Sequence, residues 1–557
     1  VKVNKIFWFH FLVLVGLFLI NLSQIFNLSF FHGFIYGDAE VSSFIAYLLG
    51  KGGRFYQDFA IVYGPGRFVF LAFINKLAGV NFSVPLFLAY GTLIAQVLVP
   101  WAIYWVIYKV LDKSKIWIRL ILAVIAVGIY SLVLRSGQDT HLVILLFLGF
   151  YAWSKQSNNK FISVITGILL GLIGFFRIES GIFALIAVII AESINYKKEK
   201  RDYIFYFSYL SFQIFYFLLI LIGGSLPNFL SDIVQMGILA QPKIMKILIQ
   251  PVDYPLFEFF MVLNVFSVLM AKFDKNKAFL CLSVMSLLGF ANALGRADFD
   301  HLYYGIVLLI PTIIIAFYKL VTNWESIVAE KISLKVVGIT VLLIILEIFT
   351  VKKQLTFLLL ILILVILIGD KFLKKKIGLV AIIFIIMALN TMIRSQSLFN
   401  FYFKRQIEIP KIHLEIKQIS LFFNETKKNN YGGYQLDEKN SQTLEQIKKD
   451  LNGKTLFVYP SHASLYEALG KNPPIRYLYF NNEYTKKMED ETIEMLLNKK
   501  IEYVLVSNEL TKTEAIVPNQ TQRIQEFINK NYMKEKEYSF EGDRMILMGI
   551  KPKDAKK

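Results

Sequence analysis

Three carboxylates and three cations share one glycine-rich stretch, residues 34–68: Asp38, Glu40 and Asp58 with Lys51, Arg54 and Arg67. A carboxylate can take the proton of an attacking hydroxyl. A guanidinium holds phosphate well, because its planar fork donates two hydrogen bonds and stays charged. Arginines and acids are mixed again in "RSGQDTH" (135–141), "FRIESG" (176–181) and "NALGRADFDH" (292–301). Such groups suit transfer from a phosphate leaving group. Such a reaction needs a base for the acceptor hydroxyl, cations for the departing phosphate and, if the donor is a lipid, an apolar groove for its tail.

These residues are carried between apolar runs. The chain has 557 residues, 56% hydrophobic, with a mean hydropathy of +0.53 and 18% charged residues, where a soluble protein carries ~25%. Runs fall at roughly 6–26, 83–108, 117–134, 141–154, 161–176, 181–195, 203–223, 256–271, 278–294, 302–318, 335–350, 355–369 and 377–393. Most approach the length that crosses ~30 Å of hydrocarbon. The expectation is a polytopic α-helical membrane protein of about 13 spans. The first run lacks a small-residue cleavage site and reads as a retained span.

With the N-terminus in the cytoplasm, the inner loops include Lys109 to Arg119, "NYKKEKRD" (195–202), "KFDKNK" (272–277) and "DKFLKKK" (370–376). All are basic, as the positive-inside rule requires; "VKKQ" (351–354) breaks the alternation. The net charge of +19 therefore speaks for topology and anionic lipid, not for nucleic acid. The outer loops are the arginine–acid segments, together with residues 223–255. Residues 1–394 form the expected bundle, with a first external loop at about 27–82. Residues 395–557 read as a small extracytoplasmic α/β domain. In it "KTLFVYP" and "IEYVLVS" are strands, "DETIEMLLNKK" and "TQRIQEFINKNY" amphipathic helices, and "YSFEGDRMILMGI" a hairpin turning at Glu541-Gly542-Asp543.

Within the first loop, "DAEVSSFIAYLLG" predicts a helix stopped by Gly50. "RFVFLAFINKLAG" predicts a helix in the membrane interface, with Arg67 and Lys76 towards head groups. The Asp past the first span, this interfacial helix, the G-x-x-Y-x-D of Gly53–Asp58 and the Tyr-x-Pro turn at Tyr63 resemble the first external loop of GT-C superfamily glycosyltransferases. Protein O-mannosyltransferases and lipid A aminoarabinose transferases are the nearest in kind. "GRADFDHLYY" is similar to their Arg-x-Asp-x-x-His segment. The chain departs from the pattern at Asp38-Ala39-Glu40, where adjacent Asp-Glu is usual, and at Tyr63-Gly64-Pro65-Gly66, where Tyr-x-Pro-Pro is usual.

The resemblance implies a GT-C-like bundle in the plasma or inner membrane. It implies a hexosyl- or pentosyltransferase that takes sugar from a polyprenyl-phosphate carrier to an envelope glycan, lipid or protein. In that reading Asp38 is the base, with Glu40 as second choice, and attack opposite the phosphate inverts the anomeric centre. Arg135, Arg177, Arg296 and His301 hold the donor phosphate. Asp58, Tyr63, Arg67, Asp139, Glu179 and Asp298 complete the pocket. Plainer readings stand beside these roles. Asp38 serves equally as a helix cap, Arg177 and Glu179 as a local ion pair, Gln138-Asp139 as the cap of the next span, and Asp298 or Asp300 as a counter-ion of Arg296.

No metal-ligand spacing occurs among the six histidines. Asp38 with Asp58 is the acid pair that could take a divalent cation. No phosphate-binding glycine loop of the nucleotide type is present, which favours a lipid-linked donor. A single cysteine, Cys281, reads as a packing residue. Two other classes remain: a transporter or flippase of envelope glycolipids, which should carry charged or broken sites near the midplane, and a non-catalytic assembly protein, in which Asp38→Asn would be silent.

Overall fold

A computed structural model describes residues 5–31, 38–61, 64–133, 138–157, 159–194, 203–235, 254–294, 305–322, 416–428, 436–460, 462–478, 485–507 and 521–552. Every apolar run up to Thr322 is a helix; the runs at 335–350, 355–369 and 377–393 lie outside the described residues. The bundle comprises α1 (Lys5–Ile25), α2 (Asp38–Gly50), α3 (Gly66–Ala78), α4 (Val84–Leu93), α5 (Val99–Val110), α6 (Ile116–Val133), α7 (Asp139–Gln156), α8 (Lys160–Phe176), α9 (Ile178–Ile194), α10 (Tyr203–Ile222), α11 (Leu226–Asp232), α12 (Tyr254–Asp274), α13 (Lys277–Leu294) and α14 (Leu309–Thr322). A π turn over Ile94–Leu98 joins α4 to α5. It frees backbone carbonyls, and Tyr130 Oη and Asn21 Nδ2 donate to those of Ala95 and Gln96, at 2.7 and 3.1 Å.

Among the described residues, Trp8–Ile25, Val84–Val110 and Tyr203–Ile222 are long and apolar enough to cross a membrane; α8, α13 and α14 are shorter apolar helices. The outer surface agrees. Phe207, Phe215 and Ile222 of α10 are exposed, as are Trp8 and Leu12 of α1, large apolar side chains turned outward on two helices, as a lipid-facing surface requires. Between helices the approach is close. A Cβ on Gly167 would fall 2.4 Å from the Phe205 carbonyl oxygen, and one on Gly171 2.6 Å from the Phe212 ring. The G-x-x-x-G spacing of α8 thus brings α10 against its backbone.

The bundle has two chemically distinct ends. At one, Glu192 pairs with Lys155 and Lys277 at 2.5 and 3.0 Å, and Asp274 with Lys319 at 2.9 Å. At the other lie the start of α7, the joint of α8 with α9 and the end of α13. Among the described residues, the lysine-rich 272–277 and the arginine–acid 176–181 therefore lie at opposite ends.

Beyond the bundle come α15 (Ile416–Lys428), α16 (Glu438–Leu451), β1 (Leu456–Tyr459), α17 (Ser464–Ala468), α18 (Lys486–Asn498), β2 (Tyr503–Ser507), α19 (Gln522–Asn531), β3 (Tyr532–Phe540) and β4 (Asp543–Ile550). The sheet order is β1-β2-β4-β3, with β1 parallel to β2 and the other pairs antiparallel. Glu541 and Gly542 turn the hairpin, with φ of 50° and 80°; positive φ at both positions is what a two-residue turn of matching twist requires. This unit shares a core with the first loop: Phe44 and Tyr47 of α2 and Phe82 pack with Tyr466, Leu465 and Leu505.

Candidate active site

The first loop supplies two helices to the arginine–acid end. α2 opens at Asp38, whose side chain lies outside the described residues. Two residues on, Glu40 is fully buried and its Oε1 accepts from the backbone N–H of Ser464 at 2.8 Å and from the Ser464 hydroxyl. Glu40 therefore fastens α2 to the sheet-bearing unit. Tyr47 Oη donates to Glu467 of the same unit. Asp58 is held elsewhere, in an exposed turn: it accepts from the Arg54 N–H at 2.8 Å and faces the Arg54 guanidinium at 3.6 Å.

α3 is amphipathic. Phe68 and Leu71 point inward, while Phe70, Phe73 and Leu77 are exposed beside the exposed Lys76. Arg67 departs from its expected head-group orientation. Its Nε and Nη2 each donate to the Asp139 carboxylate at 2.8 Å, and Tyr90 Oη donates to the same group at 3.4 Å. The two charged side chains are 15% and 4% exposed. A buried carboxylate at the start of a helix demands a counter-charge, and the bidentate fork of Arg67 supplies it. The preceding Gly64 and Gly66 explain how α3 comes so near: a Cβ at Gly64 would lie 2.1 Å from the Phe175 carbonyl oxygen, and one at Gly66 2.9 Å from the Phe175 ring. Tyr63 lies outside the described residues.

α7 begins with reciprocal capping. Gln138 receives the His141 N–H, and His141 Nδ1 accepts from the Gln138 N–H at 3.2 Å. The expected cap at Gln138-Asp139 is therefore present, with Gln138 as cap and Asp139 as counter-ion. Arg177 ends α8 and its Nε donates to Glu179 at the start of α9, the local ion pair that was one of the two readings.

The start of α7, the joint of α8 with α9 and the end of α13 line a small open cavity, with Thr140, His141, Arg177, Ser180, Asn292 and Gly305 among its walls. Thr140 and His141 close the segment 135–141, Arg177 and Ser180 belong to 176–181, and Asn292 and Gly305 flank 295–304. Described residues from the ends of three arginine–acid segments thus line one cavity, and α3 is tied to its rim through Arg67. Arg135, Arg296, Asp298 and His301 lie outside the described residues. His141, Thr140, Ser180 and Asn292 were not singled out by the sequence. Their signal was available, since each sits within a turn of a helix end that borders an arginine–acid segment. Among the described residues no group of three or more His, Cys, Asp or Glu side chains is placed to hold a metal ion.

The sheet-bearing unit adds a second buried polar cluster. Arg476 Nη1 donates to Asp232 of α11 at 2.8 Å and to the Tyr56 carbonyl at 3.3 Å, and its Nε donates to Glu491 at 2.6 Å. Burial pushes Asp232 up to about 6, against the pull of Arg476. Burial also disfavours the charge of Glu491, but hydrogen bonds from Arg476 and Tyr477 hold it below the usual carboxylate range. Thr485 Oγ1 meets Gln235 Oε1 at 2.7 Å. The start of the 223–255 segment is therefore gripped by this unit.

No family model matches the chain, and no curated protein matches it. Among solved structures it is similar to the archaeal oligosaccharyltransferase AglB from Archaeoglobus fulgidus in complex with an inhibitory peptide and a dolichol-phosphate. That alignment has 12% identity, covers 97% of this chain and 74% of that one, and has a TM-score of 0.44. It is also similar to ArnT from Cupriavidus metallidurans in the apo state (12% identity, 96% and 97% coverage, TM-score 0.43) and bound to undecaprenyl phosphate (13%, 96% and 97%, 0.40).

Proposed function

We propose that the chain is a multi-pass membrane glycosyltransferase that moves a sugar from a polyprenyl-phosphate carrier to an envelope glycan, lipid or protein outside the cell. The observation that supports this most is that Thr140 and His141, Arg177 and Ser180, and Asn292 line one cavity at the end of the bundle opposite the lysines. The bundle has about 13 spans in this reading, the N-terminus is cytoplasmic and residues 395–557 form the extracytoplasmic domain. Asp38 takes the proton of the acceptor hydroxyl as that oxygen bonds to C1 of the sugar. The C1–phosphate oxygen bond breaks on the opposite face, so the carrier phosphate leaves with the bonding pair. Arg177 stabilises that charge, with Arg135, Arg296 and His301 of the adjoining segments. Glu40, engaged with Ser464, has a positioning role, and so does the Arg67–Asp139 pair. The apolar face of α3 lies in the outer membrane interface beside the cavity.

The test is mass spectrometry of envelope glycans from cells lacking the protein, complemented with wild type, Asp38→Asn or Arg177→Gln. A glycan that vanishes without the protein, returns with wild type and stays absent with Asp38→Asn is expected. Unchanged glycans in the deficient cells would end the proposal.

A further inference from the structure

At the lysine-rich end two acids are paired, Glu192 with Lys155 and Lys277 and Asp274 with Lys319. Two half-buried cations are left over where α5 turns into α6. The Lys109 ammonium sits over the Trp105 and Trp153 rings, at 4.5 and 4.2 Å from their centroids. The Arg119 guanidinium sits over Tyr108 at 4.7 Å. Among the described residues neither forms an ion pair, and the Arg119 Nε–H is buried without a hydrogen-bond acceptor. The positive charge of Arg119 bears on Lys109, and Asp112 is the acid that opposes it. Aromatic faces offset some desolvation of a cation, but they accept no strong hydrogen bond. Two neighbouring cations against an aromatic wall, opposed by the acid Asp112, leave this corner net positive and attractive to an anion.

The surroundings say which anion. Trp117 and Ile116 at the start of α6 are 56% and 43% exposed, and Trp8 of α1 is 51% exposed. His10 bonds Tyr104 at 2.8 Å, which sets the start of α1 at this same end. Exposed tryptophans mark the head-group level of a bilayer, so the corner opens at the depth of lipid phosphate. We propose that Lys109 and Arg119 bind the phosphate of an anionic membrane phospholipid in the leaflet at the lysine-rich end. The Arg119 guanidinium and the Lys109 ammonium donate to phosphate oxygens, and Trp117 packs on the acyl chains. Basic corners between spanning helices recognise such head groups. This site lies at the opposite end of the bundle from the proposed donor cavity and does not depend on its function.

Native mass spectrometry of the full-length protein, titrated with phosphatidylglycerol, phosphatidylcholine or inorganic phosphate, tests it. Wild type should retain phosphatidylglycerol preferentially. Lys109→Gln with Arg119→Gln should weaken that binding by about 30-fold, while Lys113→Gln with Lys115→Gln should leave it within about threefold. Equal retention of phosphatidylcholine by wild type would overturn the proposal even if the double variant failed to fold. So would competition by millimolar inorganic phosphate, which would make the site one for a soluble anion. Equal losses in the two double variants would also overturn it, by reducing the effect to general surface charge.

Discussion

Arg67 and Asp139 stand 72 positions apart and share two hydrogen bonds of 2.8 Å. A pair this buried is worth little relative to an apolar replacement of both, but breaking it is expensive, because one charge is left without a partner. Arg67→Ala should therefore lower the stability of the detergent-solubilised protein by about 3–5 kcal/mol, read as the fall in denaturant midpoint. Arg67→Lys should recover only part of that loss, since an ammonium keeps the charge and loses the fork. Full recovery by lysine would mean that charge alone matters at this position. The sequence offered both residues as pocket members but could not pair them, because nothing local links an arginine at the start of α3 to the first turn of α7, with α4, α5 and α6 between them. The same holds for Glu40 and Ser464, separated by 424 positions. Its neighbour Asp38 and its setting made Glu40 look like chemistry, whereas its contacts are those of a fastening.

Elements were more legible than their partners. α2 runs from Asp38 to Gly50, and the last hairpin turns at Glu541-Gly542, because capping, glycine and positive φ are local matters. The face of α3 was legible in its apolar residues and misread at Arg67. An amphipathic pattern says which residues leave water; it does not say whether a charge at the helix start meets a head group or a carboxylate. The same element carries a sharp steric demand. A methyl group on Gly64 would meet the Phe175 carbonyl oxygen at 2.1 Å and its carbon at 2.6 Å, both backbone atoms of α8 that no rotamer change can move. Gly64→Ala should push α3 off the end of α8, stretch the Arg67–Asp139 pair and destabilise the protein by about 1–3 kcal/mol. Gly79→Ala, at the other end of α3, has open space apart from Lys427 Cε at 3.8 Å but a φ of 70°; it should cost about 1 kcal/mol from the backbone alone. Hydrogen exchange over residues 64–78 separates the two: the first variant should raise exchange throughout α3, and the second only in its last turn.

At the scale of the whole molecule, the sheet-bearing unit is joined to the bundle through buried polar groups, and such junctions respond to pH. His462 is fully buried two residues from the Ser464 that holds Glu40. Burial pushes its imidazole down from 6.5 to about 3, so the folded protein keeps it neutral. Between those values the unfolded chain binds a proton that the folded one refuses. The stability this group permits is therefore complete above about pH 6.5 and is lost as pH falls towards 3, at about 1.4 kcal/mol per unit. Glu491, held below its usual value, adds to the loss on the acid side; Asp232, pushed up to about 6, works against it between its unfolded value of 3.8 and that point. The difference between wild type and a histidine variant isolates the His462 contribution. Asn is the appropriate replacement, because position 462 has a φ of 78° and asparagine tolerates that region better than most residues. Wild type should lose melting temperature steeply between pH 6.5 and 4.5, and His462→Asn should show a markedly shallower slope over the same interval. Because the Glu40–Ser464 contact sits beside this histidine, the acid-weakened wild type should also release the unit from α2 first, seen as early loss of exchange protection at residues 40–47 and 464–468. Parallel slopes for wild type and variant would place the acid sensitivity elsewhere, in the carboxylates around Arg476.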